Sequence, residues 1–112
     1  MNEKEEILAE NVEEYCSFGA EAFKKGKYNS ATTLYFKAIA ALLDLFLLRS
    51  EGMIPSSHSA RFKVLKEKHP ELYKIADRDF PFYQDSDTKK MGKEEAELLK
   101  EDAEKLKKNL EI

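Results

Sequence analysis

The residues able to do chemistry are few and widely spaced. Two histidines, His58 and His69, lie 11 positions apart, and Cys16, the single cysteine, has no histidine or second cysteine nearby. The Asp85-x-Asp87 pair begins like a calcium loop but lacks the glycine and the closing glutamate that such a loop requires. We therefore predict no metal site and no cofactor.

Sequence motifs of the common enzyme classes are also missing. The four glycines stand alone at positions 19, 26, 52 and 92, so no glycine-rich phosphate loop can form. No nucleophile elbow presents a serine beside a histidine. We assign no catalytic residue on this basis.

The overall charge is nearly balanced, with 19 Lys and Arg against 22 Asp and Glu and a net charge of −3. This balance argues against a surface that is basic throughout, as in many nucleic-acid-binding proteins, although a local basic patch is compatible with it. Residues 1–21 carry seven Glu and one Lys, whereas residues 58–69 carry Arg61, Lys63, Lys66 and Lys68 against Glu67. These stretches are either solvated faces of opposite sign or, for 61–68, the edge of a phosphate site.

The predicted location is the cytoplasm. A single cysteine allows no internal disulfide, which favours a reducing compartment. The N-terminus is acidic and has no apolar signal segment. The apolar run from Ala38 to Leu48 is interrupted by Asp44 and is shorter than the ~20 residues that cross a membrane, so we predict no membrane association.

Apolar residues recur at helical spacing along most of the chain. We predict a single helical domain, residues 1–112. Predicted helices run from about Glu3 to Lys25, Ser30 to Ser50, Ser57 to the residue before Pro70, Pro70 onward with a kink or break near Phe80, and Lys93 to Leu110. The predicted fold class is all-α, an up-and-down four-helix bundle with an additional short or kinked helix.

The second predicted helix has apolar residues on two sides. Ala31, Leu34, Tyr35, Ala38, Leu42, Leu45 and Phe46 form one stripe, and Phe36, Ile39, Leu43 and Leu47 form another. Such a helix is either central to the bundle or also contacts a second subunit. Because a small domain has little room for an enclosed helix, we predict a homodimer. Asp44 within this run either pairs with a Lys or Arg or lies at a wet rim.

One resemblance is to the tetratricopeptide repeat. The spacing of its helix pair is matched by Tyr15, Phe18, Gly19, Ala22, Ala31, Tyr35 and Ala38. The match occurs once, over about 30 residues, whereas stacked repeats need about three copies. We interpret it as a tight helical hairpin, in which small residues let two helices approach, and keep an interaction scaffold as an alternative function.

A second resemblance covers most of the chain. The stretch GKYNSATTLYFKAIAALLDLFLLRSEGMIPSSHSARFKVLKE is similar to the HEPN (higher eukaryotes and prokaryotes nucleotide-binding) superfamily, with Gly52, Pro55 and His58 in its loop. The segment DRDFPFYQDSDTKK resembles the step before the last helix of that family. The resemblance implies a helical bundle that is often dimeric. Some members are metal-independent ribonucleases with an Arg-x(4–6)-His motif, and others bind nucleotides or accompany a nucleotidyltransferase.

The sequence departs from the nuclease motif. Eight residues (50–57) separate Arg49 from His58, seven (62–68) separate Arg61 from His69, and Arg78 is followed by Tyr83. Moving the 2′-hydroxyl proton of RNA requires a group that titrates near neutral pH, which histidine supplies and tyrosine does poorly. We predict a non-catalytic member that binds a nucleotide, a nucleic acid or a nucleotidyltransferase partner. The alternative is a divergent, toxin-like ribonuclease that uses Arg78 with Tyr83, or His58.

Five residues are candidates for ligand binding. Arg78 is the first candidate for a phosphate contact, with an ion pair to Asp77 or a neighbouring Glu as the alternative. Tyr83 either stacks on a base or is a half-buried tyrosine of the bundle. His58 either contacts the ligand or satisfies backbone groups at a helix start. Arg49 and Arg61 flank the same loop and either complete a basic rim or form surface ion pairs.

Overall fold

Five helices build the molecule in a computed structural model that describes residues 2–112. They are α1 (Glu3–Lys24), α2 (Tyr28–Glu51), α3 (His58–Lys68), α4 (Pro70–Asp85) and α5 (Lys93–Asn109). Helix α2 packs against α1, α5 and α4, and α3 packs against α4. Residues 2–112 contain no β-strand, so the predicted all-α class is confirmed.

Local signals set most helix ends where they were predicted. The Ser57 hydroxyl accepts a hydrogen bond from the Ala60 amide at 3.1 Å and caps α3. Pro70 occupies the first turn of α4, where its missing amide hydrogen costs nothing. Gly26 and Gly52 have φ values of 71° and 77° and end α1 and α2, because glycine adopts this left-handed conformation without strain.

The side chain of Asn29 joins the start of α2 to the segment between α4 and α5 and does not cap the helix. It lies in the first turn of α2, and its side-chain amide donates to the backbone carbonyls of Ser86 at 2.9 Å and Lys89 at 2.7 Å. Its side-chain oxygen accepts from the Met91 amide at 3.0 Å. Asn29 therefore fixes the segment between α4 and α5 against the start of α2.

Pro81 does not break helix α4, which continues to Asp85. Proline removes one backbone hydrogen bond and crowds the carbonyl of the residue four positions earlier, here Asp77. Asp77 is exposed, so water can satisfy that carbonyl. Phe82 and Tyr83 beyond the proline pack against the core, which holds the last turn in place.

Helix α2 is the central helix of the bundle. Twelve of its residues are buried, and the large apolar side chains that stand exposed in residues 2–112, Ile7, Phe18 and Met53, all lie outside it. Its two apolar stripes are therefore covered by the other helices of the same chain. The apolar surface of α2 therefore does not require a second subunit to cover it. The homodimer stays a prediction.

Helix α2 is also the one helix in the described residues that is long and apolar enough to cross a membrane. Two thirds (67%) of its most apolar window is buried inside the bundle. A central helix meets the same test of length and composition as a membrane span. The predicted cytoplasmic location stays a prediction.

Candidate functional site

A buried ion pair between α2 and α3 organises the candidate site. Arg61 donates through Nε to Asp44 Oδ1 at 2.7 Å and through Nη2 to Asp44 Oδ2 at 3.0 Å. Each of these residues is only 8% exposed. This paired geometry matches the guanidinium fork to the carboxylate, so it fixes the orientation of both side chains. One of the two roles considered for Asp44, pairing with an arginine, is confirmed.

The same arginine determines the tautomer of His58. Arg61 Nη1 lies 2.7 Å from His58 Nδ1. A guanidinium has only donors, so Nδ1 accepts and the proton of the neutral imidazole is on Nε2. Burial, followed by the positive charge of Arg61, lowers the pKa of His58 below its ordinary value of 6.5. Near neutral pH, His58 is therefore uncharged and has no free nitrogen lone pair.

We expect acid to destabilise the fold partly through His58. Its folded-state pKa is depressed, so the unfolded chain binds the extra proton first, and stability is lost as pH falls through 6.5. Urea denaturation of the wild type and of His58→Gln, which keeps a neutral acceptor for Arg61, measures the effect between about pH 7 and pH 5. The variant should lose less stability over this range. Equal losses would show that His58 does not contribute.

Aromatic rings enclose the other side of His58. Its ring centroid lies 5.0 Å from that of Phe80, 5.8 Å from that of Tyr83 and 6.2 Å from that of Phe36. Tyr83 stacks on Phe36 at 4.9 Å with an interplanar angle of 24°. Lys37 Nζ lies 5.9 Å from the centre of the Tyr83 ring. The cluster holds the imidazole and the tyrosine in fixed positions beside the ion pair.

A cavity of about 230 Å³ opens next to these residues, between α1, α2, α3 and α4. Its volume is below the ~300–1,000 Å³ of sites that enclose a drug-sized molecule, so it has room for one ring or one small group. The lining combines aromatic, small and charged side chains: Leu8, Asn11, Tyr15, Phe36, Lys37, Ala40, Ala41, Asp44, His58, Arg61 and Tyr83.

Three of the five predicted ligand-binding residues, His58, Arg61 and Tyr83, line this cavity together. The other two are engaged elsewhere. Arg49 at the end of α2 donates to Glu5 of α1 at 3.2 Å. Arg78 donates to Asp79 and to Asp102 of α5. The ion pairs considered for these two arginines are present, although the partners of Arg78 differ from those expected.

Residues that the sequence analysis did not select complete the lining. Lys37 and Asp44 are the only charged residues between Ser30 and Leu48, and they are seven positions apart. That spacing places two side chains on the same face of a helix, which was the available signal. Asn11 and Tyr15 of α1 carry no comparable signal, because their meeting with α3 and α4 depends on how the helices pack.

The arrangement is suited to binding a small polar molecule. The Arg61 charge is matched by Asp44, so Lys37 supplies the unmatched positive charge at the cavity, beside the Tyr83 ring and the Asn11 amide. An anionic group can bind near Lys37 while a planar ring lies among the aromatic side chains. Comparison with protein-family models, with curated proteins and with solved structures gives no match for this chain.

Proposed function

We propose that this protein is a non-catalytic, HEPN-like binding module whose cavity takes the base of a nucleotide, with the phosphate at its mouth near Lys37. The observation that carries the proposal is the hydrogen bond from Arg61 to His58 Nδ1. It occupies the one nitrogen lone pair of the neutral His58 imidazole, which a general base would need in order to take a proton from RNA. The arrangement therefore favours binding over RNA cleavage.

The size and charge of the site limit which nucleotide ligands can bind. The cavity of about 230 Å³ accepts one base but not a whole nucleotide. Helix α1, which forms one wall, carries six glutamates between Glu3 and Glu14. These charges repel the phosphates of a strand running along α1, so a mononucleotide or the end of a nucleic acid is the preferred ligand.

The resemblance to the HEPN superfamily adds two protein partners to the proposal. One is a second copy of the chain, and the other is a nucleotidyltransferase. Ile7 and Phe18, 49% and 57% exposed, provide apolar surface on α1 that either partner could cover. A repeat-like interaction scaffold would use this surface without the nucleotide.

Thermal unfolding with added mononucleotides tests the proposal. A ligand that binds only the native state raises the melting temperature, and at 100 times its Kd adds about 2.7 kcal/mol of stability. Lys37→Ala should weaken binding about tenfold, the equivalent of ~1.4 kcal/mol for one charge-assisted contact. Lys63→Ala, which removes another exposed lysine outside the cavity, is the matched control. No shift with any nucleotide would favour the scaffold.

A nuclease assay separates binding from catalysis. Single-stranded RNA incubated with the protein and a chelator should stay intact over hours, because His58 offers no free base. His58→Ala and Arg78→Ala serve as paired controls. Metal-independent cleavage that either substitution abolishes would replace the binding module with the divergent ribonuclease.

A further inference from the structure

Two carboxyl groups meet at the contact between α4 and α5, away from the cavity. The side chain of Asp79 on α4 is completely buried. Its Oδ1 accepts a hydrogen bond from Arg78 Nε at 3.1 Å, whereas its Oδ2 has no hydrogen-bond partner among the described residues. Burying a carboxylate oxygen without a hydrogen-bond partner costs free energy, and this cost favours the protonated form of Asp79.

Asp102 on α5 supplies the second carboxyl group. It is 8% exposed and accepts from Nη2 of the same Arg78 whose Nε donates to Asp79, so one guanidinium bridges the two carboxyl groups. With all three groups ionised, one guanidinium faces two carboxylates and the cluster has a net charge of −1. A single proton makes the cluster neutral and converts one carboxyl into a donor for the other.

Helices α2 and α3, which also contact α4, have no buried charge left to compensate this cluster. Asp44 is the one charged side chain buried on α2, and Arg61 is the one buried on α3. These two residues pair with each other. The charged groups that act on Asp79 are Asp102 and Arg78.

We propose that Asp79 and Asp102 hold one proton between them at neutral pH. This shared proton links α4 to α5, and the link is lost when the proton dissociates at alkaline pH. Burial, followed by the hydrogen bond and charge of Asp102, raises the pKa of Asp79 to about 8. Tyr83 lies one helical turn after Asp79, so the shared proton also stabilises the α4 wall of the cavity. This inference concerns the fold itself and does not depend on the proposed ligand.

The direction of the pH effect follows from the protons bound in each state. The unfolded chain releases the Asp79 proton near the ordinary aspartate pKa of 3.8, whereas the folded chain keeps it to about pH 8. Stability is therefore fully present below 3.8 and is lost progressively up to about pH 8. Asp79→Asn mimics the protonated carboxyl and cannot titrate.

Melting temperatures of the wild type and of Asp79→Asn, measured between about pH 5 and pH 9, test the shared proton. The difference between them should grow in favour of the variant by at least about 5 °C up to pH 8 and then level off. Asp77→Asn, at an exposed aspartate of the same helix, should follow the wild type at every pH. A constant difference between Asp79→Asn and the wild type would overturn the proposal.

Carboxyl ¹³C NMR titration of the unmodified protein gives a second readout that needs no variant. The Asp79 carboxyl should titrate above pH 6, and amide exchange in α4 should speed up through the same step beyond its usual dependence on pH. Titration of Asp79 below pH 5 would show that this carboxyl is ionised at neutral pH and would refute the shared proton.

Discussion

Replacing Arg61 with methionine is expected to destabilise the protein by about 3–5 kcal/mol, which is the effect of removing one partner from a buried ion pair. The substitution leaves Asp44 charged and only 8% exposed in the middle of the central helix. It also removes the donor to His58 and two of the hydrogen bonds that join α3 to α2. Urea denaturation at neutral pH measures the loss.

Two further variants test whether the buried charge is the cause. Arg49→Met breaks the exposed pair with Glu5, in which the arginine side chain is 37% exposed, and should cost no more than about 1 kcal/mol. Adding Asp44→Leu to Arg61→Met removes the unpaired carboxylate and should restore much of the stability. Similar losses for Arg61→Met and Arg49→Met would contradict the role given to the Asp44–Arg61 pair.

Replacing Phe36 with alanine is expected to cost about 3–5 kcal/mol as well, for a different reason. The Phe36 ring is 1% exposed and contacts the rings of His58, Phe80 and Tyr83. Its removal leaves a void at the centre of the aromatic cluster that the surrounding helices can only partly close. The melting temperature should fall by about 4 °C or more per kcal/mol.

Phe18→Ala is the matched control for this prediction. Phe18 is 57% exposed on α1, so its truncation removes little buried surface and should change stability by less than about 0.5 kcal/mol. If both phenylalanine variants were equally stable, the ring of Phe36 would not be buried as described. Binding of a mononucleotide gives a second comparison, because Phe36 lines the cavity and Phe18 does not.

Helix α3 shows why the polar pair matters to the site. Its fully buried apolar residue is Leu65, and it packs mainly against α4 rather than against α2. Arg61 of α3 pairs with Asp44 of the central helix, and His69, directly after α3, pairs with Glu51 of the same helix at 2.9 Å. Hydrogen bonds therefore hold the cavity wall formed by α3 against α2, whereas apolar packing joins α3 mainly to α4.

The helices of this protein and most of their ends follow from local signals in the amino-acid sequence. Apolar spacing, the serine cap at Ser57, the glycines Gly26 and Gly52 and the proline at Pro70 act through bonds between residues that are at most a few positions apart. Such signals are visible in a single stretch of chain. For the same reason, His58, Arg61 and Tyr83 could be selected as candidates, since each lies at a recognisable loop or helix position.

Which of these residues come into contact depends on how the helices pack in three dimensions. Asp44 and Arg61 are 17 positions apart, Arg78 and Asp102 are 24 apart, and Asn29 reaches Met91 across 62. These contacts depend on which faces the helices turn toward one another, and several packings of five helices satisfy the same apolar pattern. Three helices around α2 hide both of its apolar stripes, so packing within one chain, rather than the apolar content of α2, determined how that surface is covered.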